Sequence, residues 1–248
     1  MISIIISSIT PEHLERCKKS IEKSIGVPYE LLVTVNPGRY SLAKVYNDNL
    51  TNAQYPYVVF MHEDTSFKSK NWGKKVISLL EQQEIGLVGV AGTTYLPDTG
   101  KWVSPGVPFL KGRIIHESPA MSSDQIELFS SERGDFDVVT VDGVFMATRT
   151  DVAKKVTFDE KTFTGFHFYD HDFSLSVAQQ YRVVVTTDIL VKHYSSGHTG
   201  QQWEEQRALF LNKYKHLLPF TKEHKTPNWK SITPWNARLV TYGRKKES

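Results

Sequence analysis

The strongest constraint on the fold is an uninterrupted apolar run at residues 57–61, Tyr-Val-Val-Phe-Met. A strand with one face in water alternates apolar and polar residues, whereas a strand buried on both faces, as in a parallel sheet covered by helices, does not. Apolar, largely β-branched runs also occur at 2–7, 29–35 and 85–91, and amphipathic segments separate them. This alternation predicts an α/β fold with a mostly parallel, Rossmann-like central sheet flanked by helices.

Local signals mark where several helices begin and end. The Thr-Pro pair at 10–11 provides an N-cap and a proline at the first helical position, and Gly26 is placed to end that helix. Ser41 is the expected N-cap of a second helix. Apolar residues spaced three and four apart predict further helices at 72–80 and 203–218.

The middle of the chain has a weaker pattern. Residues 92–135 are rich in Gly, Pro, Ser and Thr, which predicts loops with a short hairpin. A connector of this length is uncommon in a compact domain, so part of it is expected to lie over a site. A strand containing a glycine is predicted at 137–148, and later strands at 181–191. No segment approaches the roughly 20 apolar residues that a membrane-spanning helix needs.

Charge is distributed unevenly along the chain, although the net charge is only +3. From residue 221 onward, seven basic residues accompany two acidic ones, together with Trp229 and Trp235. Such a segment can contact an anionic membrane surface or a nucleic acid; a solvated extension with packed tryptophans is the alternative. The remainder lacks a basic stripe interleaved with aromatics, which argues against nucleic acid as the main partner.

The single cysteine, Cys17, excludes a disulfide framework and favours a cytoplasmic location.

The first candidate for chemistry is His62-Glu63-Asp64, which directly follows the apolar run. In an open parallel sheet, ligands bind beyond the carboxyl ends of the strands, so these side chains are expected at a binding crevice. A carboxylate there can hold Mg²⁺ or Mn²⁺, hard cations that bridge the phosphates of a nucleotide. An ordinary acidic turn after a strand is the alternative.

A second polar cluster spans residues 165–172, where Asp170, Asp172 and two histidines lie among aromatic residues. A carboxylate in such a partly dry setting can accept a proton, because its pKa can be tuned. His167 and His171 are four residues apart and also fit a zinc site, but the Glu of the HExxH pattern is missing. A structural loop is the third interpretation.

The third candidate is His193, which follows the last predicted strand in the sequence His-Tyr-Ser-Ser-Gly-His. From the end of that strand its imidazole can reach the same crevice as Asp64. A lone histidine is more often structural than a ligand, so both interpretations remain open for His193.

Taken in order, these segments resemble the GT-A glycosyltransferases of the family 2 type, in particular a bacterial branch in which the DxD signature is written His-x-Asp. The similarity covers residues 1–200. It rests on a strand that ends at Asn36 and on the segments 41–47, 58–64, 141–149, 158–160 and 169–172.

The resemblance implies a division of the chain. A single GT-A domain is expected at 1–218, with a nucleotide-binding half at 1–100 and an acceptor-side half at 101–218. The basic extension then occupies 219–248.

The resemblance also implies an activity: transfer of a sugar, of hexosyl type, from a nucleotide-sugar to a glycan or lipid-linked acceptor in bacterial polysaccharide synthesis. A UDP-sugar is the expected donor, and the expected location is the cytoplasm, peripheral to the inner face of the membrane. A divalent cation, Mn²⁺ or Mg²⁺, would be held by Asp64 with His62 and His193. Donor contacts are implied at Ser7, Ser8, Thr10, Asn36, Lys44, Asn47, Glu63, Asp142 and Gly143.

Asp170 falls where these enzymes keep the base that deprotonates the acceptor, and relatives with that base invert the anomeric carbon. Asp172 is the alternative base, because neighbours two apart in an extended segment point the same way.

Two departures from the family pattern support other functions. His62 replaces the first acid of DxD, and Ser176 stands where many relatives have an arginine. Both favour a non-catalytic module that binds a nucleotide-sugar or a glycan. A metal-dependent hydrolase would use the same histidines and aspartates as metal ligands. A nucleotidyltransferase would need a Gly-rich basic loop after the first strand, which Ser-Ser-Ile-Thr at 7–10 does not provide.

Overall fold

The computed structural model describes residues 1–117, 125–130, 132–195 and 200–221, with the backbone alone at 125–128. The strands are β1 (Ile2–Ser8), β2 (Tyr29–Val35), β3 (Tyr57–His62), β4 (Thr65–Phe67), β5 (Ile85–Gly89), β6 (Ala91–Thr93), β7 (Tyr95–Leu96), β8 (Leu110–His116), β9 (Gln125–Leu128), β10 (Asp135–Val138), β11 (Thr140–Val141), β12 (Phe145–Arg149), β13 (Arg182–Thr186), β14 (Val191–His193) and β15 (Phe220–Thr221). The helices are α1 (Pro11–Ser24), α2 (Leu42–Leu50), α3 (Trp72–Leu80), α4 (Thr150–Val156), α5 (Tyr169–Ala178) and α6 (Gln201–Tyr214).

A seven-stranded sheet forms the centre, in the order β10-β13-β5-β12-β3-β1-β2. β1 is parallel to β2 and β3, and β13 is parallel to β5. β12 lies antiparallel between β3 and β5, and β10 lies antiparallel beside β13. Strands β1, β2, β3, β5 and β13 therefore run in one direction, which confirms the predicted α/β fold with a mostly parallel sheet. The insertion of β12 was not predicted.

The apolar run at 57–61 is buried on both faces, as its composition predicted. Val58 and Phe60 pack into an apolar cluster that also takes residues from α2, α4, α5 and α6. Val59 and Met61 pack into a second cluster with residues from α1 and α3. The central sheet is thus sandwiched between helices.

The predicted helix boundaries agree with the structure for α1, α2 and α3, whereas the helix predicted at 203–218 is α6, which ends at Tyr214. α1 begins at Pro11, and Gly26 follows its end with a positive φ of 71°. The Ser41 hydroxyl accepts a hydrogen bond from the backbone N–H of Lys44 at 3.2 Å, which satisfies one free donor of the first turn of α2.

The prediction of loops with one hairpin over 92–135 was wrong in its extent. This stretch supplies β8 and β9 to a second sheet of order β11-β6-β8-β14-β4, in which β9 pairs with β8. Gly112 explains why the pattern is irregular: it has a φ of 117°, and a Cβ there would clash with the carbonyl of Val90 on the chain beside it. Glycine is required for this close approach, and it weakens the strand pattern.

The strand predicted at 137–148 is three strands in two sheets. β10 and β12 belong to the central sheet and β11 to the second. The chain turns at Asp142, whose Oδ1 accepts a hydrogen bond from the Val144 N–H at 2.8 Å. An Asp side chain that bonds two residues on in this way stabilises a turn, and the turn separates β11 from β12.

Helices α4 and α5 were not predicted. In α5 nearly every position from Tyr169 to Val177 is buried, polar residues included. A helix without a solvent face has no amphipathic pattern, so its period cannot be recognised in the sequence.

At the C-terminal end, β15 pairs with β7, so the described chain remains ordered in a strand pair just beyond the predicted boundary at 218. That boundary stays a prediction. The basic extension, with Trp229 and Trp235, lies outside the described residues. Within the described part of the chain, no helix combines the length and the apolar character that crossing a membrane requires.

Candidate active site

Several residues implied at the site lie at the carboxyl ends of neighbouring strands. Ser7 in β1 pairs in register with Thr34 in β2 and with His62 in β3. Asn36 directly follows β2. The backbone N–H of His62 donates to the carbonyl of Val144 at 3.3 Å, so the turn before β12 lies against the end of β3.

His62, Asp64 and His193 form one compact group, with a ligand atom from each lying within 4.8 Å of the others. Asp64 Oδ1 is 3.2 Å from His193 Nε2 and 4.0 Å from His62 Nδ1. Strand pairing creates the group: β14 lies antiparallel to β4 with His193 opposite Thr65, and the Tyr194 N–H donates to the Asp64 carbonyl at 2.8 Å.

The group fits a divalent cation. Nε2 of His193 is buried and has no partner aligned for a hydrogen bond among the described residues, although Asp64 Oδ1 is close. Ligand atoms that share one ion lie about 2.0–2.2 Å from it and therefore roughly 3 Å from one another. Their lone pairs point at the ion, so the ligand atoms are not aligned for a hydrogen bond to each other. Two imidazole nitrogens and one carboxylate oxygen also leave coordination positions for oxygens of a bound ligand.

The charges within the group favour an ionised Asp64 carboxylate, and the pKa values of the two imidazoles shift in opposite directions. Burial acts to raise the pKa of Asp64, but the neighbouring His193 and His62 outweigh burial and lower that pKa to about 2. Burial lowers the pKa of His62 despite the nearby Asp64 charge. For His193, burial is outweighed by the Asp64 carboxylate, which raises its pKa. Cation binding requires the deprotonated imidazoles, as with any metal site built on histidine.

Glu63 points away from this group and towards the loop after β1. Its carboxylate accepts hydrogen bonds from the Ser8 hydroxyl at 2.6 Å and from the N–H groups of Ile9 and Thr10 at 2.9 and 3.0 Å. Glu63 therefore holds in place the loop that is implied to contact the donor. A direct contact between Glu63 and the donor stays a prediction.

We expect Glu63→Gln to lower the free energy of unfolding by about 1–3 kcal/mol, because the amide loses the negative charge that strengthens these hydrogen bonds and its NH₂ group cannot accept from the Ser8 hydroxyl as Oε2 does. Urea denaturation measures this difference. The matched control is Glu15→Gln, since Glu15 pairs with Lys18 on the surface, where an exposed salt bridge contributes little to stability. Equal losses for the two variants would contradict the anchoring role of Glu63.

The other implied donor contacts have partners inside the protein. Asn36 accepts from the N–H groups of Arg39 and Tyr40, both at 3.0 Å, which shapes the loop before α2. Lys44 is exposed and pairs with Asp48 one turn further along α2.

Asn47 on α2 binds a segment that is distant in the sequence. Its side chain accepts from the Phe158 N–H and donates to the Phe158 carbonyl and to Glu160 Oε2. Asn47 therefore joins α2 to the segment before α5, and its contact with the donor stays a prediction.

Asp170 lies in the first turn of α5, close to the turn before β12. Its Oδ2 accepts from the Gly143 N–H at 2.9 Å, and its Oδ1 accepts from the His171 N–H and ring Nδ1, both at 2.9 Å. Burial acts to raise the pKa of Asp170, but His171 and these backbone donors outweigh it and lower the pKa below the usual value. Asp170 is thus an ionised, oriented carboxylate.

Asp172 is separated from Asp170 because the segment is helical and not extended. Its Oδ1 binds Lys213 Nζ at 2.5 Å and the Tyr214 hydroxyl at 2.8 Å, and its side chain is only 2% exposed. Burial raises the pKa of Asp172 despite these partners. Residues two apart on a helix point to different sides, so Asp172 faces α6 and not the crevice.

Comparison with known proteins identifies the family. The family model described as "Glycosyltransferase like family" matches residues 3–214, which is most of the chain. The chain belongs to this family. No curated protein shows a significant sequence match.

Solved structures share the fold of this glycosyltransferase chain at low identity. GalNAc-T7, solved with UDP, GalNAc and Mn²⁺, has a TM-score of 0.56 at 9% identity over 82% of this chain and 45% of that one. A mannosyltransferase from Pyrobaculum calidifontis, solved with GDP-Man and Mn²⁺, gives 0.53 at 12% over 88% and 70%. TarS 1–349 from S. aureus with UDP gives 0.53 at 14% over 90% and 67%. The fold is therefore GT-A, and the chain spans less than half of the GalNAc-T7 structure.

Three residues near this site were not predicted as site residues from the sequence. The Tyr169 hydroxyl lies 2.9 Å from His62 Nε2. His167 was considered above as one member of a possible zinc pair. Burial lowers its pKa, Asp170 acts to raise that pKa, and His62 acts to lower it. His116 pairs in register with His193, and the two rings are 5.4 Å apart. The metal-ligating group of the described residues does not include the His167 and His171 pair.

Sequence signals for these residues were partial. Tyr169 and His167 stood inside the polar cluster at 165–172, so a preference for any polar side chain there would have included them. His116 had no signal, because β8 itself was not predicted and its register with β14 was unknown.

Proposed function

We propose that this glycosyltransferase chain transfers a sugar of hexosyl type from a UDP-sugar to a hydroxyl group of a glycan or lipid-linked acceptor, with inversion and with a divalent cation. The observation that supports this most is the juxtaposition of two unlike sites. A cation-binding group, His62, Asp64 and His193, and an ionised carboxylate, Asp170, flank the same Asp142-Gly143 turn.

The cation group serves the donor side. A divalent cation held by Asp64, His62 and His193 would supply positive charge beside the departing diphosphate. The loop after β1, held by Glu63, and Asn36 after β2 line the same ends of the strands, where α/β folds bind nucleotides. Ser7, Ser8, Thr10, Lys44 and Asn47 complete the proposed nucleotide contacts, and Asp142 and Gly143 border the sugar.

Asp170 serves the acceptor side. We infer that it takes the proton of the acceptor hydroxyl as that oxygen bonds to the anomeric carbon and the bond from this carbon to the diphosphate oxygen breaks. A single displacement of this kind inverts the anomeric centre. The lowered pKa of Asp170 keeps it ionised, and the helix N-terminus and the Gly143 N–H fix its orientation.

Donor binding and turnover are tested together. A thermal-shift series with UDP-, GDP-, CMP- and dTDP-sugars, with and without Mn²⁺, should show the largest shift for a UDP-sugar with Mn²⁺, because a ligand that binds only the native state stabilises it. GDP-sugars belong in the series because the P. calidifontis mannosyltransferase is solved with GDP-Man. Mn²⁺-dependent release of UDP should accompany the binding. Binding without any release would favour the non-catalytic module, which the replacement of the first DxD acid by His62 supports.

We further propose that the enzyme works in bacterial polysaccharide synthesis, in the cytoplasm at the inner face of the membrane, through its basic extension. The excess of basic residues after 221 supports this. Co-sedimentation with anionic vesicles should be lost when residues 222–248 are removed, while neutral vesicles should not bind either form. Undiminished sedimentation of the truncated chain would contradict the membrane role of the extension.

A further inference from the structure

A buried chain of hydrogen bonds connects the cation group to the turn that holds Asp170. Tyr169 places its hydroxyl 2.9 Å from His62 Nε2 and 3.4 Å from the carbonyl oxygen of Gly143. The N–H of the same glycine donates to Asp170. Gly143 therefore binds the two neighbouring residues of α5 at once, and a Cβ at this position would clash with the Tyr169 hydroxyl.

The contact between the Tyr169 hydroxyl and the Gly143 carbonyl indicates a direction for this chain. A carbonyl oxygen can only accept, so in this contact the Tyr169 hydroxyl is the donor. In that arrangement the hydroxyl oxygen accepts from His62, and the neutral imidazole carries its hydrogen on Nε2. Its lone pair is left on Nδ1, the nitrogen that faces Asp64 at 4.0 Å.

The consequence is chemical, because only the nitrogen with the lone pair can bind a cation. Metal-binding histidines usually donate their second N–H to an oxygen acceptor, and loss of that acceptor typically costs about 10–100-fold in metal affinity. In this chain the acceptor is a tyrosine hydroxyl and not the more frequent carboxylate or backbone carbonyl.

We propose that Tyr169 is a positioning residue that fixes His62 in the tautomer with hydrogen on Nε2, so that Nδ1 binds the divalent cation. The proposal rests on the proposed function only in treating His62 as a cation ligand. Because the hydroxyl is anchored on Gly143, the same contact ties the cation group to the turn that orients Asp170.

The first test needs no metal and no donor. Long-range ¹⁵N–¹H NMR of the histidine rings in the cation-free protein should show His62 with hydrogen on Nε2 and a bare Nδ1. In Tyr169→Phe this preference should be lost, because the hydroxyl acceptor is removed while the ring remains. A wild-type His62 with its hydrogen on Nδ1 would overturn the proposal without any variant having to fold.

The second test measures binding of Co²⁺ alone, by its visible absorption and by equilibrium dialysis. Tyr169→Phe should weaken binding about 10–100-fold. Tyr181→Phe is the control for the loss of a tyrosine hydroxyl: the Tyr181 ring packs against the apolar core beside Arg149, and Tyr181 takes no part in the cation group. This control should bind Co²⁺ as the wild type does.

A double-mutant cycle separates positioning from general disturbance of the fold. If Tyr169 acts through His62, adding Tyr169→Phe to His62→Ala should weaken Co²⁺ binding no further. Additive losses would overturn the proposal, and so would unchanged affinity in Tyr169→Phe. All of these measurements omit donor and acceptor, so a failure of the proposed transferase activity would leave their outcome intact.

Discussion

Asp170→Asn is expected to reduce the rate of sugar transfer about 10²–10⁴-fold, the usual cost of removing a general base. The amide keeps the size of the side chain but cannot take the acceptor proton. Affinity for the nucleotide-sugar should remain within a few-fold, because Asp170 contacts Gly143 and His171 and stands apart from the cation group. Transfer rates at saturating donor, together with calorimetric donor affinities, measure the two effects separately.

Asp172→Asn is the matched control for this prediction, since it changes a carboxylate two residues away on another side of α5. It removes the charge that binds Lys213, so the expected effect is on stability and not on chemistry. Its transfer rate should stay within a few-fold of the wild-type rate at temperatures where the protein is folded. An active Asp170→Asn enzyme, or an equally inactive Asp172→Asn enzyme, would remove Asp170 from the mechanism.

Asp64→Asn is expected to weaken divalent-cation binding by more than about 100-fold, beyond the range found for residues that merely support a ligand. The amide retains the shape of the side chain but loses the negative charge that two imidazoles cannot replace. Donor affinity in the presence of Mn²⁺ should fall towards its value without the cation. Titration calorimetry with Mn²⁺ alone, and then with the donor, measures both losses.

Glu63→Gln is the control for Asp64→Asn. The two carboxylates are neighbours in sequence, but Glu63 binds the loop after β1 and is not in the cation group. We expect this variant to keep its affinity for Mn²⁺ alone. Loss of Mn²⁺ binding in Glu63→Gln, or its retention in Asp64→Asn, would show that the ion is held elsewhere.

Several elements of the fold could be predicted because their signals are local. The apolar run at 57–61 indicated a strand covered on both faces, and Ser41 indicated the start of a helix. Polar residues after such strands predicted a site at the carboxyl edge of the sheet, where the structure places His62 and Asp64. These predictions depend only on burial, backbone capping and the direction of the chain.

Other features depended on pairing between distant segments. The insertion of β12 between β3 and β5 and the second sheet built around β8 left no local pattern. Helix α5 was missed because it is buried on nearly all sides. Because this segment was predicted to be extended, Asp170 and Asp172 were both candidates for the base. In the helix, Asp170 points towards Gly143 and Asp172 points towards Lys213.

The sequence by itself determined which residues are available near the strand ends: a histidine and a carboxylate at the end of β3, Asp170 in the polar cluster at 165–172 and a histidine at the end of β14. Only the tertiary structure decided which of them meet. Pairing of β14 with β4 brings His193 to Asp64, and the contact of α5 with the Asp142-Gly143 turn brings Tyr169 to His62. The physical reason is that helix caps and apolar runs depend on neighbours in the chain, whereas strand partners and side-chain direction depend on the whole packed sheet.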